Sequence, residues 1–140
     1  EALGSETLEE LEKRLVLETR ELNSRLKLHF FQTNYEGQIL EYIQGLAFKA
    51  GRTGDIAGVI VNPGAWAHTS LALRDAIEFL RPIPIVEVHY ANLLEAPEYR
   101  QYSFLEEVVD YRVMGLGPAG YQEALRWLSG EVHKDRTDIH

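Results

Sequence analysis

The chain has 140 residues, 45% of them hydrophobic and 26% charged, with a formal net charge of −8. That length suits one domain around one core, and the acidic balance argues against a non-specific nucleic-acid binder, which needs a basic face. There is no cysteine, hence no disulfide framework, thiol nucleophile or thiolate metal site, a composition compatible with the cytoplasm. No apolar run approaches the roughly 18 residues of a membrane span, and no signal peptide is visible in these residues.

Thr7 to Leu26 reads as an amphipathic helix, because Leu8, Leu11, Leu15, Leu22 and Leu26 recur at helical spacing and Thr7 with Glu10 forms a capping-box pattern. Leu28 to Gln32 reads as a short strand. Glu36 to Ala50 is a second helix with Ile39, Leu40, Ile43, Leu46 and Ala47 on one face, followed by a turn at Gly51 to Asp55. Ile56 to Asn62 is an apolar run of the kind buried on both faces of a parallel sheet. Thr69 to Leu80 predicts a third helix, Ile83 to His89 another buried strand, Val109 to Gly115 a last strand and Gly120 to Leu128 a last helix. Residues 1–128 thus form a single domain, and Ser129 to His140 is polar and expected to fray as a C-terminal tail.

Strands alternating with helices imply an α/β domain, a doubly wound parallel sheet with helices on both faces. The start is unusual, since the sequence opens on a helix and supplies four strands. A doubly wound domain opens on a strand, and in the order 2-1-3-4-5 that strand is central. A central slot would leave unpaired backbone on both sides, each buried group costing about 1–3 kcal/mol. The expectation is therefore a first strand contributed by residues before Glu1.

Ligands in such folds sit beyond the carboxyl ends of the strands, where three polar clusters fall: Gln32 to Gly37, Asn62 to Ser70 and Glu87 to Asn92. Each has a plain structural reading. Asn62-Pro63-Gly64 forms a turn as readily as a site, Thr69 or Ser70 can simply cap the next helix, and Asp75, seven residues after His68, can be a surface charge. Glu87 and His89 alternate along a strand and so share a face. A carboxylate beside an imidazole orients the ring and suits it to general-acid work, or is a plain buried pair. There is no phosphate-binding glycine loop and no nucleophile elbow. His68, His89 and Asp75 lack the close spacing of a zinc-binding helix, so no metal site is expected.

Together these clusters resemble the type II 3-dehydroquinate dehydratases. The stretches that carry the resemblance are Phe31-Gln32-Thr33-Asn34-Tyr35-Glu36-Gly37, Val61-Asn62-Pro63-Gly64-Ala65-Trp66-Ala67-His68-Thr69-Ser70 running on to Asp75, Pro84 to His89, Glu98-Tyr99-Arg100, and Gly115-Leu116-Gly117-Pro118-Ala119-Gly120-Tyr121, in order from about Gly4 to Leu128. The resemblance implies a flavodoxin-like fold, trimers assembled into a dodecamer, no metal and no cofactor. It implies loss of water from 3-dehydroquinate through an enolate, with anti stereochemistry. A lid tyrosine takes the C2 proton, a histidine protonates the departing hydroxyl, and an asparagine-held water stabilises the enolate.

By this resemblance His89 is the general acid and Glu87 orients it. Asn62, His68 and Asp75 hold the substrate, the backbone at Tyr90 and Ala91 binds its carboxylate, and Arg100 adds positive charge. The sequence departs from the pattern at three places. The lid tyrosine and its glycine align with Leu3-Gly4, a serine of the carboxylate site is Ala91, and a nearby arginine is Ala96. Two readings follow: a working dehydratase, with its base supplied from residues before Glu1 or by a shifted lid alignment, and a non-catalytic relative that keeps the pocket and assembly.

Overall fold

The structure, a computed structural model, describes residues 6–132 and 136–140. Leu3 and Gly4 lie outside the described residues. Helix α1, Leu8–Leu22, begins where the sequence places it: the Thr7 side chain accepts from the Glu10 N–H while the Glu10 carboxylate accepts from the Thr7 N–H. It ends at Asn23 rather than running to Leu26. Strand β1, Lys27–Leu28, precedes α2, Glu36–Thr53, which Gly54 closes in the left-handed conformation at φ 69°. Strand β2, Ile56–Val61, leads through a 3₁₀ turn, Gly64–His68, into α3, Leu71–Glu78, whose N-cap is Ser70. Strands β3, Ile85–His89, and β4, Tyr111–Met114, are joined by three further 3₁₀ turns. Helix α4 spans Ala119–Ser129, and a last strand, β5, is Asp138–Ile139.

All five strands are parallel, in the order β1-β5-β2-β3-β4. Helices α1 and α4 cover one face, burying Leu11, Leu15, Ala124, Leu125 and Leu128 against Ala57, Val86, Val88 and Val113. Helices α2 and α3 cover the other, burying Ile43, Leu46, Leu73, Ala76 and Ile77 against Ile56, Val59, Val61 and Ile85. This is the α/β, flavodoxin-like, doubly wound arrangement, with helices on both faces. At Gly58 the fold needs the missing side chain, since a Cβ there would stand 2.8 Å from Leu128 Cδ2.

The polar stretch after Ser129 does not stay outside the domain, and the strand count is five rather than four. Its end enters the middle of the sheet as β5. The Lys27 N–H donates to Thr137 O at 2.8 Å, the His29 N–H to Ile139 O at 2.8 Å, and the Ile60 N–H to His140 O at 2.7 Å. The physical reason is the demand of the two flanking edges: β1 and β2 both present backbone groups that need partners, and Ile139, 2% exposed, adds an apolar side chain to the α1–α4 core. The same geometry shortens β1, expected to run to Gln32. A ladder extends only as far as its partner, and β5 offers two residues.

Past His140 the slot between residues 29–34 and β2 continues as a cavity of about 600 Å³. Leu11, Leu15 and Leu125 line it from one helical layer, Ile43, Leu46 and Leu73 from the other, and its carboxyl end reaches Asn62, Tyr90 and Tyr121.

Candidate active site

Strand β3 sets the centre of the site. Its period of two sends Glu87 and His89 to one face, and both are buried. The His89 Nε2–H donates to Glu87 Oε2 at 2.6 Å, which fixes the ring and its tautomer and leaves Nδ1 without a partner among the described residues. Glu87, with no exposed surface, accepts twice more: Ser103 Oγ donates to Oε2 at 2.6 Å and Arg112 Nε donates to Oε1 at 3.1 Å. Burial alone would raise the Glu87 carboxyl, but hydrogen bonds from His89 and Ser103 and the charges of His89 and Arg112 outweigh it, so the group is held below the ordinary carboxylate value.

The 3₁₀ turn after β2 carries His68 to the same end of the sheet. Its ring lies 6.4 Å from that of His89, the two planes 26° apart. The His68 Nδ1–H donates to Tyr102 O at 2.7 Å, which leaves Nε2 available to a substrate hydroxyl. Asn62, at the end of β2, donates from Nδ2 to Tyr121 Oη at 3.0 Å, and Tyr121 stands edge-on to Tyr90, ring centres 5.9 Å apart. Burial, ahead of its other influences, pushes the Tyr121 phenol up to about 12, so it stays protonated as a donor. Tyr90 and Ala91 follow directly on β3, and Gly117, at φ 57°, donates its N–H to Tyr90 O at 3.1 Å.

Asn62, His68, Glu87, His89 and Tyr90 thus gather at one end of the sheet. The expectation that Asp75 converges with them is not met within a single chain. Helix α3 turns Leu73, Ala76 and Ile77 to the sheet, so the intervening Asp75 points outward, 69% exposed and 3.9 Å from Arg74. Arg100 ends the 3₁₀ turn that packs against the turn carrying His68, its guanidinium 5.5 Å from the centre of the Tyr99 ring. Ser103 and Arg112 are the site residues that reasoning from sequence missed. They lie 16 and 25 residues from Glu87, and the one signal for Arg112 is a cation inside an otherwise apolar strand.

Among the described residues, His29, Asp138 and His140 bring three possible metal-ligating atoms within 4.8 Å of one another. The two imidazoles are stacked, 4.4 Å between centres and 10° between planes, so their in-plane lone pairs run side by side instead of converging. Lys49 Nζ already stands 3.9 Å from Asp138. The group reads as packing that anchors β5.

Residues 1–129 match the family described as dehydroquinase class II. The chain belongs to that family. It is 42% identical over 122 residues to the 3-dehydroquinate dehydratase of Prochlorococcus marinus, covering 87% of this chain and 78% of that protein. It is 38% identical over 122 residues to the enzyme of the same name from Helicobacter acinonychis, covering 87% and 69%. The crystal structure of the type II dehydroquinase from Propionibacterium acnes superposes with a TM-score of 0.79 at 33% identity, covering 91% of this chain and 81% of that one. In this class II dehydroquinase the buried Glu87–His89 pair and His68 therefore stand on a shared scaffold.

Proposed function

We propose that this chain is a type II 3-dehydroquinate dehydratase, a lyase that converts 3-dehydroquinate to 3-dehydroshikimate by anti elimination through an enolate. The observation that carries the reading is the buried Glu87–His89 pair, held through Nε2 with Nδ1 left without a partner among the described residues. A base removes the C2 proton and the electron pair spreads onto the C3 carbonyl oxygen as an enolate. The enolate then expels the C1 hydroxyl, which leaves as water after His89 donates its proton. Glu87 holds the tautomer this requires. Asn62 offers its amide to the substrate, and hydrogen-bond donors are needed at the enolate oxygen, where negative charge develops. His68 Nε2 accepts from a substrate hydroxyl, and the backbone at Tyr90 and Ala91, with Arg100, meets the carboxylate. These steps need no cofactor and no metal.

The same reading proposes trimers within a dodecamer, acting in the cytoplasm. Its support is the surface: Leu71 and Phe79 on and beside α3, and Leu94, Tyr99 and Tyr102 in the loop after the site, are all more than half exposed, apolar area of the kind subunit contacts cover. Asp75 fits the assembly too, because an outward-facing carboxylate on α3 meets a substrate only across a subunit contact. No helix among the described residues is long and apolar enough to cross a membrane.

One specific observation favours a second reading, a pocket that binds without turnover. Leucine cannot take a proton, and Leu3 stands where the resemblance places the base; Tyr121, held protonated, does not replace it. Formation of dehydroshikimate, followed in the ultraviolet, decides between them. Turnover that His89→Ala lowers by ~10²–10⁴-fold supports the dehydratase. Turnover indifferent to His89→Ala overturns the mechanism, and an inactive wild-type protein favours the binding reading.

A further inference from the structure

The residue that departs most from its surroundings in β4 is Arg112, a cation between Tyr111 and Val113 whose side chain is 20% exposed. Its place follows from register. In the parallel pairing of β3 with β4, Glu87 stands opposite Arg112, so the two side chains rise from the same face of neighbouring strands. The contact is selective for one oxygen. Glu87 Oε2 accepts from both His89 and Ser103, whereas among the described residues Oε1 accepts from Arg112 Nε alone. Arg112 Nη1 in turn stands 3.6 Å from Glu106, on the 3₁₀ turn that precedes β4.

We propose that Arg112 is a positioning residue of the acid: it pins the second oxygen of Glu87 and keeps that carboxylate charged, and through it holds His89 in its working orientation. The inference rests on the dehydratase reading for its effect on turnover, but not for its effect on Glu87. A carboxylate with no exposed surface cannot turn to water for the partner it loses. With Arg112 gone, Oε1 becomes a buried acceptor without a donor. The group then either takes up a proton there or rotates, and either change weakens its hold on the His89 Nε2–H. Among the described residues, the groups that face Glu87 are His89 on its own strand, Arg112 from β4 and Ser103 from the loop before the last 3₁₀ turn. Glu106 Oε1 stands 3.6 Å from Arg112 Nη1, and the His68 ring lies 6.4 Å from that of His89.

The test is Arg112→Met, read in two ways on the full chain: the Glu87 side-chain carboxyl followed by carbon NMR across pH, and the pH dependence of kcat and KM. An opposite charge at this range holds a carboxyl down by roughly 1–3 pH units. The Met variant is therefore expected to titrate Glu87 at least about one unit higher and to move the acidic limb of kcat up in step, with KM little changed. Arg112→Lys is expected to recover part of the shift. Arg112→Met placed on Glu87→Gln is expected to cost nothing beyond Glu87→Gln alone, since partners in one network are not additive. Arg112→Gln, which keeps a donor without the charge, gives the same reading if the Met variant does not fold. An unchanged Glu87 titration overturns the proposal, as does a uniform fall in activity that only tracks lost thermal stability. If the wild-type protein shows no turnover, the dehydratase reading fails, while the carboxyl titration still decides the role of Arg112.

Discussion

Glu87 shows how a buried charge becomes tolerable. A carboxylate with no exposed surface survives ionised only because each oxygen is met: His89 and Ser103 at Oε2, Arg112 at Oε1. Its folded value lies below that of the unfolded chain. Its stabilising effect is thus complete above the ordinary carboxylate range and is lost as pH falls through the folded value. Glu87→Gln is expected to lower the melting temperature at neutral pH and to flatten its fall on acidification. Equal slopes in the two proteins would show that Glu87 does not couple to folding. Ser103→Ala removes one of the two donors at Oε2 without removing a charge, and should cost about 1–3 kcal/mol in urea unfolding, the penalty of a buried partner lost.

At the scale of the element, β5 is the unusual part. Two residues hold the centre of a parallel sheet, paired on both sides. Ile139 is its apolar anchor, and Ile139→Ala should cost about 2–5 kcal/mol, as for other fully buried truncations, measured as a shift in the urea midpoint. A loss below 1 kcal/mol would mean that β5 contributes little to the sheet. His140 adds a pH dependence to the same strand. Burial, with the nearby His29 and Lys49, pushes its ring down to about 4, while Tyr42 Oη lies 2.7 Å from its Nδ1. Below about 6.5, the ordinary histidine value, the unfolded chain takes up a proton that the folded one refuses, so stability falls from there down to about 4 and levels beneath it. His140→Phe should remove that part of the acid loss in a series of thermal melts. The sheet and α4 meet without slack at Gly58, where a Cβ would press on Leu128. Gly58→Val is expected to cost at least about 1–3 kcal/mol through overpacking, read from the same urea midpoints.

For the whole molecule the exposed apolar residues on α3 and in the loop from Leu93 to Tyr102 predict association. Light scattering should report a multiple of the chain mass, with Phe79→Glu, at 80% exposure, shifting the distribution toward smaller species. A monomer at all concentrations would remove both the assembly and the route by which Asp75 reaches a substrate.

The sequence by itself determined the layers. Apolar periodicity placed α1 to α4 and β2 to β4, the Thr7–Glu10 box started α1 at its observed residue, and the period of two along β3 set Glu87 beside His89. These are local facts, fixed by spacing within a few residues. The tertiary structure decided what depends on distant partners. Asp138–Ile139 is too short and too polar to announce a strand, and it becomes one only because β1 and β2 leave backbone groups to satisfy on either side. Asp75 points away from the site because the apolar face of α3 claims the sheet. Ser103 and Arg112 meet Glu87 across 16 and 25 residues, by strand register and loop path. No spacing rule encodes those contacts, because a buried carboxylate takes whichever donors the packed chain brings within hydrogen-bond reach.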